Sequence, residues 1–469
     1  MTACTRRTAL QATAASLLLP VAGRTALASP PAAPARSPAA HGLDQPLFGA
    51  AHWTLGNGMR VVLAENRRAP VAANYLYVAA GAAEDPPGLS GIAHFVEHML
   101  FKGSPAVPSG AFSRTVSREG GQNNAFTGRD MTGYFQVVEA SRLPLMMRME
   151  ADRFASPLMP EDEVEPERNV VLEERRQVVE SQPRSRFREA FDAAMWGPQH
   201  WRGRPLIGWE DEIRAISRQD MLDFHRAHYS PANAVAIIAG DVREADARRW
   251  SEEFYGAIPA GPAAPPMRGR GPMGGPPAEA RLVRHDPDAR EPSFLHGFAA
   301  PSLTWGATEL AYPLSVLGHL LGGGPGSRLH TALVEAGLAS SCGASYSGQS
   351  LGPGTFYLFA TPRPGVDRDR IEAVLAAEVQ RLLDAGARQE EVDRAIRQQT
   401  AGALLALDGL GAAPRMIGGA LIIGESLEAV EFWPRRLAEV TLAQVDRAAR
   451  EVLGTPGVNL AGWLLPGNA

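Results

Sequence analysis

The run Gly91-Ile-Ala-His-Phe-Val-Glu-His-Met-Leu-Phe-Lys-Gly103 sets His94, Glu97 and His98 at a spacing that can do chemistry. Two imidazoles four residues apart stand one above the other on a helix, and a carboxylate three beyond the first falls within the same arc. That combination is a metal site with a proton acceptor beside it. The order His-x-x-Glu-His inverts the zinc-binding His-Glu-x-x-His helix and offers the same three groups on one face. Ile92, Phe95, Val96, Met99 and Leu100 supply an apolar side, which leaves the polar trio on a separate stripe. The competing reading is a solvated polar face carrying two surface histidines.

A catalytic zinc site needs a third protein ligand and an open fourth position. The stretch Glu165-Pro-Glu-Arg-Asn-Val-Val-Leu-Glu-Glu-Arg-Arg176 reads as a long helix with its proline near the start. Glu167 and Glu174 are seven apart and share a face two turns removed. Glu173 and Glu180 compete with them, because an acidic helix face is usually just solvated. The residues by themselves leave the choice open.

These groups need elements to hold them. Thr54 to Leu63 reads as a turn at Asn57-Gly58 feeding a strand, with Asn74-Tyr-Leu-Tyr-Val78 as its neighbour. Asn123-Asn124 taken alone reads as a turn. A capped helix followed by a short apolar strand, Ile216-Ser-Arg-Gln-Asp-Met to Ile237-Ile238, recurs as Val440-Thr-Leu-Ala-Gln-Val to Trp463-Leu464-Leu465. The chain is thus a duplicated and diverged unit. Where the first unit has its metal helix, the second is expected to carry Gly322-Gly-Gly-Pro-Gly-Ser-Arg-Leu-His330, with one histidine and no acid partner. Those glycines lack a following lysine and hydroxyl, so they read as a loop at a helix start and not as a phosphate cradle.

His94-Phe-Val-Glu-His98 followed by Glu167-Arg-Asn-Val-Val-Leu-Glu-Glu174 resembles the pitrilysin and insulinase family of inverted-zincin metallopeptidases, in its short two-domain form similar to mitochondrial processing peptidase subunits. Gly121-Gln-Asn-Asn-Ala-Phe-Thr127 with Asp130 to Tyr134, Gly203-Arg-Pro-Leu-Ile-Gly208, and Tyr229-Ser-Pro to Gly240-Asp241 extend the resemblance over nearly all of the first unit. The resemblance implies an α+β fold of two homologous domains, each an antiparallel sheet packed with helices, facing each other across a cavity. It also implies one Zn2+ per chain on His94, His98 and Glu174, with Glu167 behind a ligand histidine. Glu97 is then the base of a zinc metalloendopeptidase acting on short or unfolded peptides. Asn124 and Ala125 would hold substrate backbone on an edge strand. Self-sufficient relatives follow the glycine loop with an arginine and a tyrosine that contact substrate, and here Val334 and Ser340 stand at those places. A paralogous subunit supplying that pair, or a homodimer, is the implied partner. The alternative within the same family is a non-catalytic structural or assembly subunit, whose known examples usually lose metal residues.

Composition agrees with a two-domain enzyme: 469 residues, 45% hydrophobic and 21% charged. The net charge of -5 offers no basic surface for nucleic acid, and no apolar run is long enough for a membrane span. Residues 1–28, with Arg6-Arg7, a weakly apolar stretch and Ala26-Leu27-Ala28, read as a bacterial signal peptide, so the protein is expected in the periplasm or secreted. The twinned arginines fit the pathway that carries folded proteins, and a mitochondrial transit peptide is the rival. Residues 29–47 read as a Pro/Ala-rich tether, 48–257 as the zinc-bearing domain, 258–280 as a Pro/Gly-rich linker and 281–469 as the second, metal-free domain. Removal of Cys4 with the signal would leave Cys342 without an internal disulfide partner.

Overall fold

The computed structural model describes residues 44–261, 281–407 and 409–467. The signal peptide, most of the tether and most of the Pro/Gly linker expected from the sequence lie outside the described residues. The first sheet contains β1 (Ala51–Thr54), β2 (Arg60–Glu65), β3 (Val71–Val78), β4 (Gln122–Thr127), β5 (Thr132–Glu139) and β6 (Ala234–Gly240), in the order β1-β2-β6-β3-β5-β4. The second contains β7 (Arg281–Asp286), β8 (Ser293–Ala300), β9 (Ala339–Ser347), β10 (Gly354–Pro362) and β11 (Asn459–Pro466), in the order β7-β11-β8-β10-β9. Both are antiparallel apart from one parallel pair each, β2 with β6 and β7 with β11.

Strand for strand, β2-β6-β3-β5-β4 repeats as β7-β11-β8-β10-β9 with the same directions, so the duplication read from two capped helices extends through five strands of each sheet, and β1 is an addition to the first. Those helices, Arg218–His228 and Leu442–Leu453, both start in a capping box, Ser217 with Asp220 and Thr441 with Gln444. The turn at Asn57-Gly58 feeds β2 as expected, with Gly58 at φ 91. β3 is not the neighbour of β2, however; β6 lies between them. A strand buried on both faces reads as a continuous apolar run, and Ala-Val-Ala-Ile-Ile-Ala-Gly in β6 is such a run with every residue buried.

The helices that build the site or close the sheet faces are α1 (Ile92–Met99), α2 (Leu143–Ala155), α3 (Glu161–Arg175), α4 (Pro183–Trp196), α5 (Arg218–His228), α6 (Ala311–Gly322), α7 (Ala412–Ile422) and α8 (Leu442–Leu453). One face of the first sheet packs Leu63, Leu76 and Ile238 against Phe95, Val96 and Met99 of α1, Phe154 of α2 and Val171 of α3. The opposite face, with Val62, Tyr75, Tyr77 and Ile237, is covered by Ala413, Ile417, Ala420 and Leu421 of α7, a helix from the second half. Reciprocally, Phe187, Phe191, Met195 and Trp196 of α4 cover Tyr357, Leu460 and Leu464 on the second sheet. Each half lends the other a helix. At Gly418 of α7 a Cβ would stand 2.3 Å from the Tyr77 ring, so only glycine lets the borrowed helix approach this closely.

Chain order makes α6, between β8 and β9, the counterpart of α1, between β3 and β4. This corrects the placement of Gly322 to His330: the glycines close α6 and do not occupy the position of the metal helix. The sequence of α6, Ala-Tyr-Pro-Leu-Ser-Val-Leu-Gly-His-Leu-Leu-Gly, has His319 alone as a ligand type.

Candidate active site

The start of α1 is fixed by its surroundings. Gly91 sits at φ 88, and a Cβ there would lie 2.4 Å from the Ile207 carbonyl oxygen. The buried Asp85 carboxylate accepts from the Gly91 and Ala93 amides at 2.7 and 3.1 Å, satisfying donors a helix N-terminus leaves free. Arg204 donates to the Asp85 carbonyl at 2.8 Å, and Trp209 N–H donates to Ser90 Oγ at 2.9 Å. The Gly203 to Gly208 motif thus serves as the brace for α1.

On that helix His94 and Glu97 are buried and His98 half-buried, which removes the reading of a solvated face. The chain begins α3 at Glu161, earlier than the proline suggested, and Pro166 lies inside it. From α3, Glu174 reaches both imidazoles, with carboxylate oxygens 3.6 Å from His94 Nε2 and 3.3 Å from His98 Nε2. One ligand atom from each of the three lies within 4.8 Å of the others. Glu167, one face-repeat earlier on α3, meets His98 Nδ1 at 2.7 Å and is itself held by Lys102 Nζ at 2.5 Å. Lys102 also reaches Glu163 at 3.1 Å. The competing acids point elsewhere: Glu173 is exposed and accepts from Arg176 at 2.8 Å, and Glu180 lies 3.5 Å from Arg175.

The electrostatics describe a site short of positive charge. Burial, with His98 next to it, depresses His94 to about 4, so its ring is neutral, the state that ligates metals. Burial also opposes charge on His98, yet hydrogen bonds to Glu167 and Glu174 and the nearby Glu97 outweigh it and push the ring up to about 10. Burial likewise works against Glu167, but His98 and Lys102 hold it down at about 2. Among the described residues His94 Nδ1 is buried without a hydrogen-bond partner, and its Nε2 is too far from Glu174 for one. A neutral imidazole left unbonded beside a crowd of carboxylates fits a cation, and two nitrogens with one carboxylate suit zinc.

The Glu97 carboxylate accepts from Thr127 Oγ1 at 2.6 Å, and burial raises its pKa. Thr127 ends β4, the edge strand of the first sheet. Asn123 and Asn124 lie in that strand and not in a turn. Asn124 Oδ1 accepts from the Ala125 amide at 2.9 Å, so the side chain occupies a backbone donor on the free edge. Val334 lies on the helical turn His330–Glu335, and Ser340 lies on β9 with its hydroxyl donating to the Thr361 carbonyl at 3.2 Å. Sequence reasoning missed Asp85, Lys102 and Thr127. Lys102 follows His98 by four and so had a helical-spacing signal; the other two make contacts no local spacing encodes. A cavity of about 770 Å³ between Leu47, Phe48, Arg67, Leu404 and Leu410 lies apart from these residues and takes no part in the site.

Two family profiles match the chain: Insulinase (Peptidase family M16) over residues 60–207, and Peptidase M16 inactive domain over residues 215–399. An uncharacterized zinc protease of Mycobacterium leprae is 30% identical over 410 residues, covering 86% of this chain and 89% of that protein. The crystal structure of a protease from Helicobacter pylori superimposes with a TM-score of 0.81 at 24% identity, over 90% of this chain and all of that one. The periplasmic protease PqqL from Escherichia coli superimposes with a TM-score of 0.74 at 19% identity, over 89% of this chain but only 47% of that one. With both profiles in tandem across most of its length, this chain belongs to the pitrilysin and insulinase family, peptidase family M16.

Proposed function

We propose that the chain is a zinc-dependent endopeptidase for short or unfolded peptides and the metal-bearing member of a two-chain enzyme. The observation that carries this is the convergence of His94, His98 and Glu174 with Glu97 beside them, against the end of a free edge strand. His94, His98 and Glu174 would hold the zinc, and Glu167 would orient His98 through Nδ1. The ion supplies Lewis-acid activation of water and of the scissile carbonyl when bound. Glu97 takes the proton from the attacking water and returns it to the leaving amine nitrogen. An extended peptide adds to β4, where the Ala125 amide replaces its bond to Asn124 with one to substrate backbone and frees the Asn124 amide group for the peptide.

A second chain is part of the reading because Val334 and Ser340 offer no cation or phenol to hold substrate. This chain also spans about half the length of PqqL, a protease with the same fold. Export to the periplasm belongs to the proposal and is checked by cell fractionation. The function is tested by metal analysis and peptide hydrolysis on the purified chain, alone and with its paralogue. Zinc bound at one per chain with hydrolysis lost in Glu97→Gln supports it. Full zinc with no hydrolysis under either condition would favour the structural-subunit alternative.

A further inference from the structure

We propose that Thr127 is a positioning residue that fixes the carboxylate of the general base and ties it to the strand that receives substrate. The inference rests on Glu97 being that base. A carboxylate turns about its last bond with little preference, so burial alone does not aim it. Thr127 Oγ1 has one proton to donate and spends it on Glu97 Oε2 at 2.6 Å, within the range of bonds to an ionised acceptor. Both residues are buried, at 5% and 8% exposure, so water does not compete freely for the bond. With Oε2 held, the plane of the carboxylate is set and Oε1 is left to take the proton.

The position of Thr127 in the chain gives the bond a second consequence. It lies two residues beyond Ala125 on β4, and its own backbone is paired with Thr132 of β5. Alternation along a strand puts Ala125 and Thr127 on the same face. The edge that would hold the peptide and the group that would take the proton therefore belong to one rigid unit, although Glu97 comes from α1. Misplacement of a reacting group by about 1 Å can cost on the order of a hundredfold in rate. Thr127 removes that freedom.

The test compares Thr127→Val, Thr127→Cys and Thr127→Ser in the full chain, loaded with zinc, using an unfolded reporter peptide and Glu97→Gln as control. Valine keeps the shape without the donor, cysteine offers a weak donor, and serine keeps the hydroxyl. Thr127→Val should lower kcat by roughly ten- to a hundredfold with KM within about twofold and zinc content unchanged. Thr127→Ser should stay within about threefold of the parent, and Thr127→Cys should fall between. A purely structural role would lower thermal stability and activity together without following donor strength. Thr127→Val at the parental rate, a loss in KM alone, or equal losses in valine and serine would overturn the proposal. Should the valine variant not fold, the cysteine to serine comparison decides: Cys well below Ser supports it, and equality overturns it. If Glu97→Gln is as active as the parent, the base assignment itself is wrong; if Glu97→Gln is inactive and Thr127→Val unimpaired, only Thr127 is.

Discussion

Glu173 and Glu174 are adjacent in the chain and have opposite surroundings, one paired with Arg176 in solvent and the other between two imidazoles. Glu174→Gln should therefore deplete bound zinc, and Glu173→Gln should leave it at one per chain by metal analysis; the reverse order would move the ligand. Glu167→Gln should keep the three ligands but weaken zinc by roughly ten- to a hundredfold in competition with a chelator, since a neutral amide oxygen holds His98 Nδ1 less strongly than the carboxylate it replaces. The helical spacing of His94, Glu97 and His98 was enough to read them as a group from sequence. Glu174 could be separated from Glu173 only by family resemblance, because one residue on a helix is a 100° rotation whose outcome depends on where the helix packs. Thr127 was out of reach: its bond joins groups 30 residues apart, from a strand to a helix.

At the scale of elements, α1 is set by what abuts its first turn. Gly91→Ala would force a Cβ against the Ile207 carbonyl at a positive φ, and should lower stability by at least about 1 kcal/mol and weaken zinc retention together. A chelator titration alongside urea unfolding measures both. The helix pair α2 and α5 makes a separate prediction. His225 is buried with Nε2 against the Phe154 carbonyl at 2.9 Å, and burial, with Arg226 nearby, lowers it to about 4. The unfolded chain takes up that proton near pH 6.5 and the folded one only near 4, so stability is full above about 6.5 and is lost as pH falls through that window. The loss should be on the order of 2 kcal/mol and should shrink in His225→Gln, whose amide keeps the donor but does not titrate. Urea unfolding at pH 7 and pH 4.5 checks this, and an unchanged slope in the variant would contradict it. Elements with strong local signals, the capped helices and the Asn57-Gly58 turn, were legible. The insertion of β6 between β2 and β3 was not, since strand order depends on pairings far apart in sequence.

For the whole molecule the duplication has a physical meaning that two short echoes in sequence only hinted at. The halves exchange α4 and α7, so each outer sheet face is closed by the other half, and neither is expected to be stable alone with that face bare. Gly418→Val should overpack α7 against Tyr77 and cost about 1–3 kcal/mol in thermal unfolding without changing zinc affinity. The second half keeps the topology without the His-x-x-Glu-His pattern, and α6 carries His319 alone. Its Val334 and Ser340 lead to the expectation that adding a paralogue bearing the arginine and tyrosine raises turnover steeply. Metal-dependent peptide cleavage with Glu97 as base is tested most directly by zinc stoichiometry together with hydrolysis of an unfolded peptide, for the parent chain and Glu97→Gln, each with and without that paralogue. The expected result is one zinc in both proteins, slow cleavage by the parent alone, fast cleavage by the parent with its partner, and none by Glu97→Gln in either state. Zinc lost from Glu97→Gln, or cleavage that persists in it, is the contradicting result.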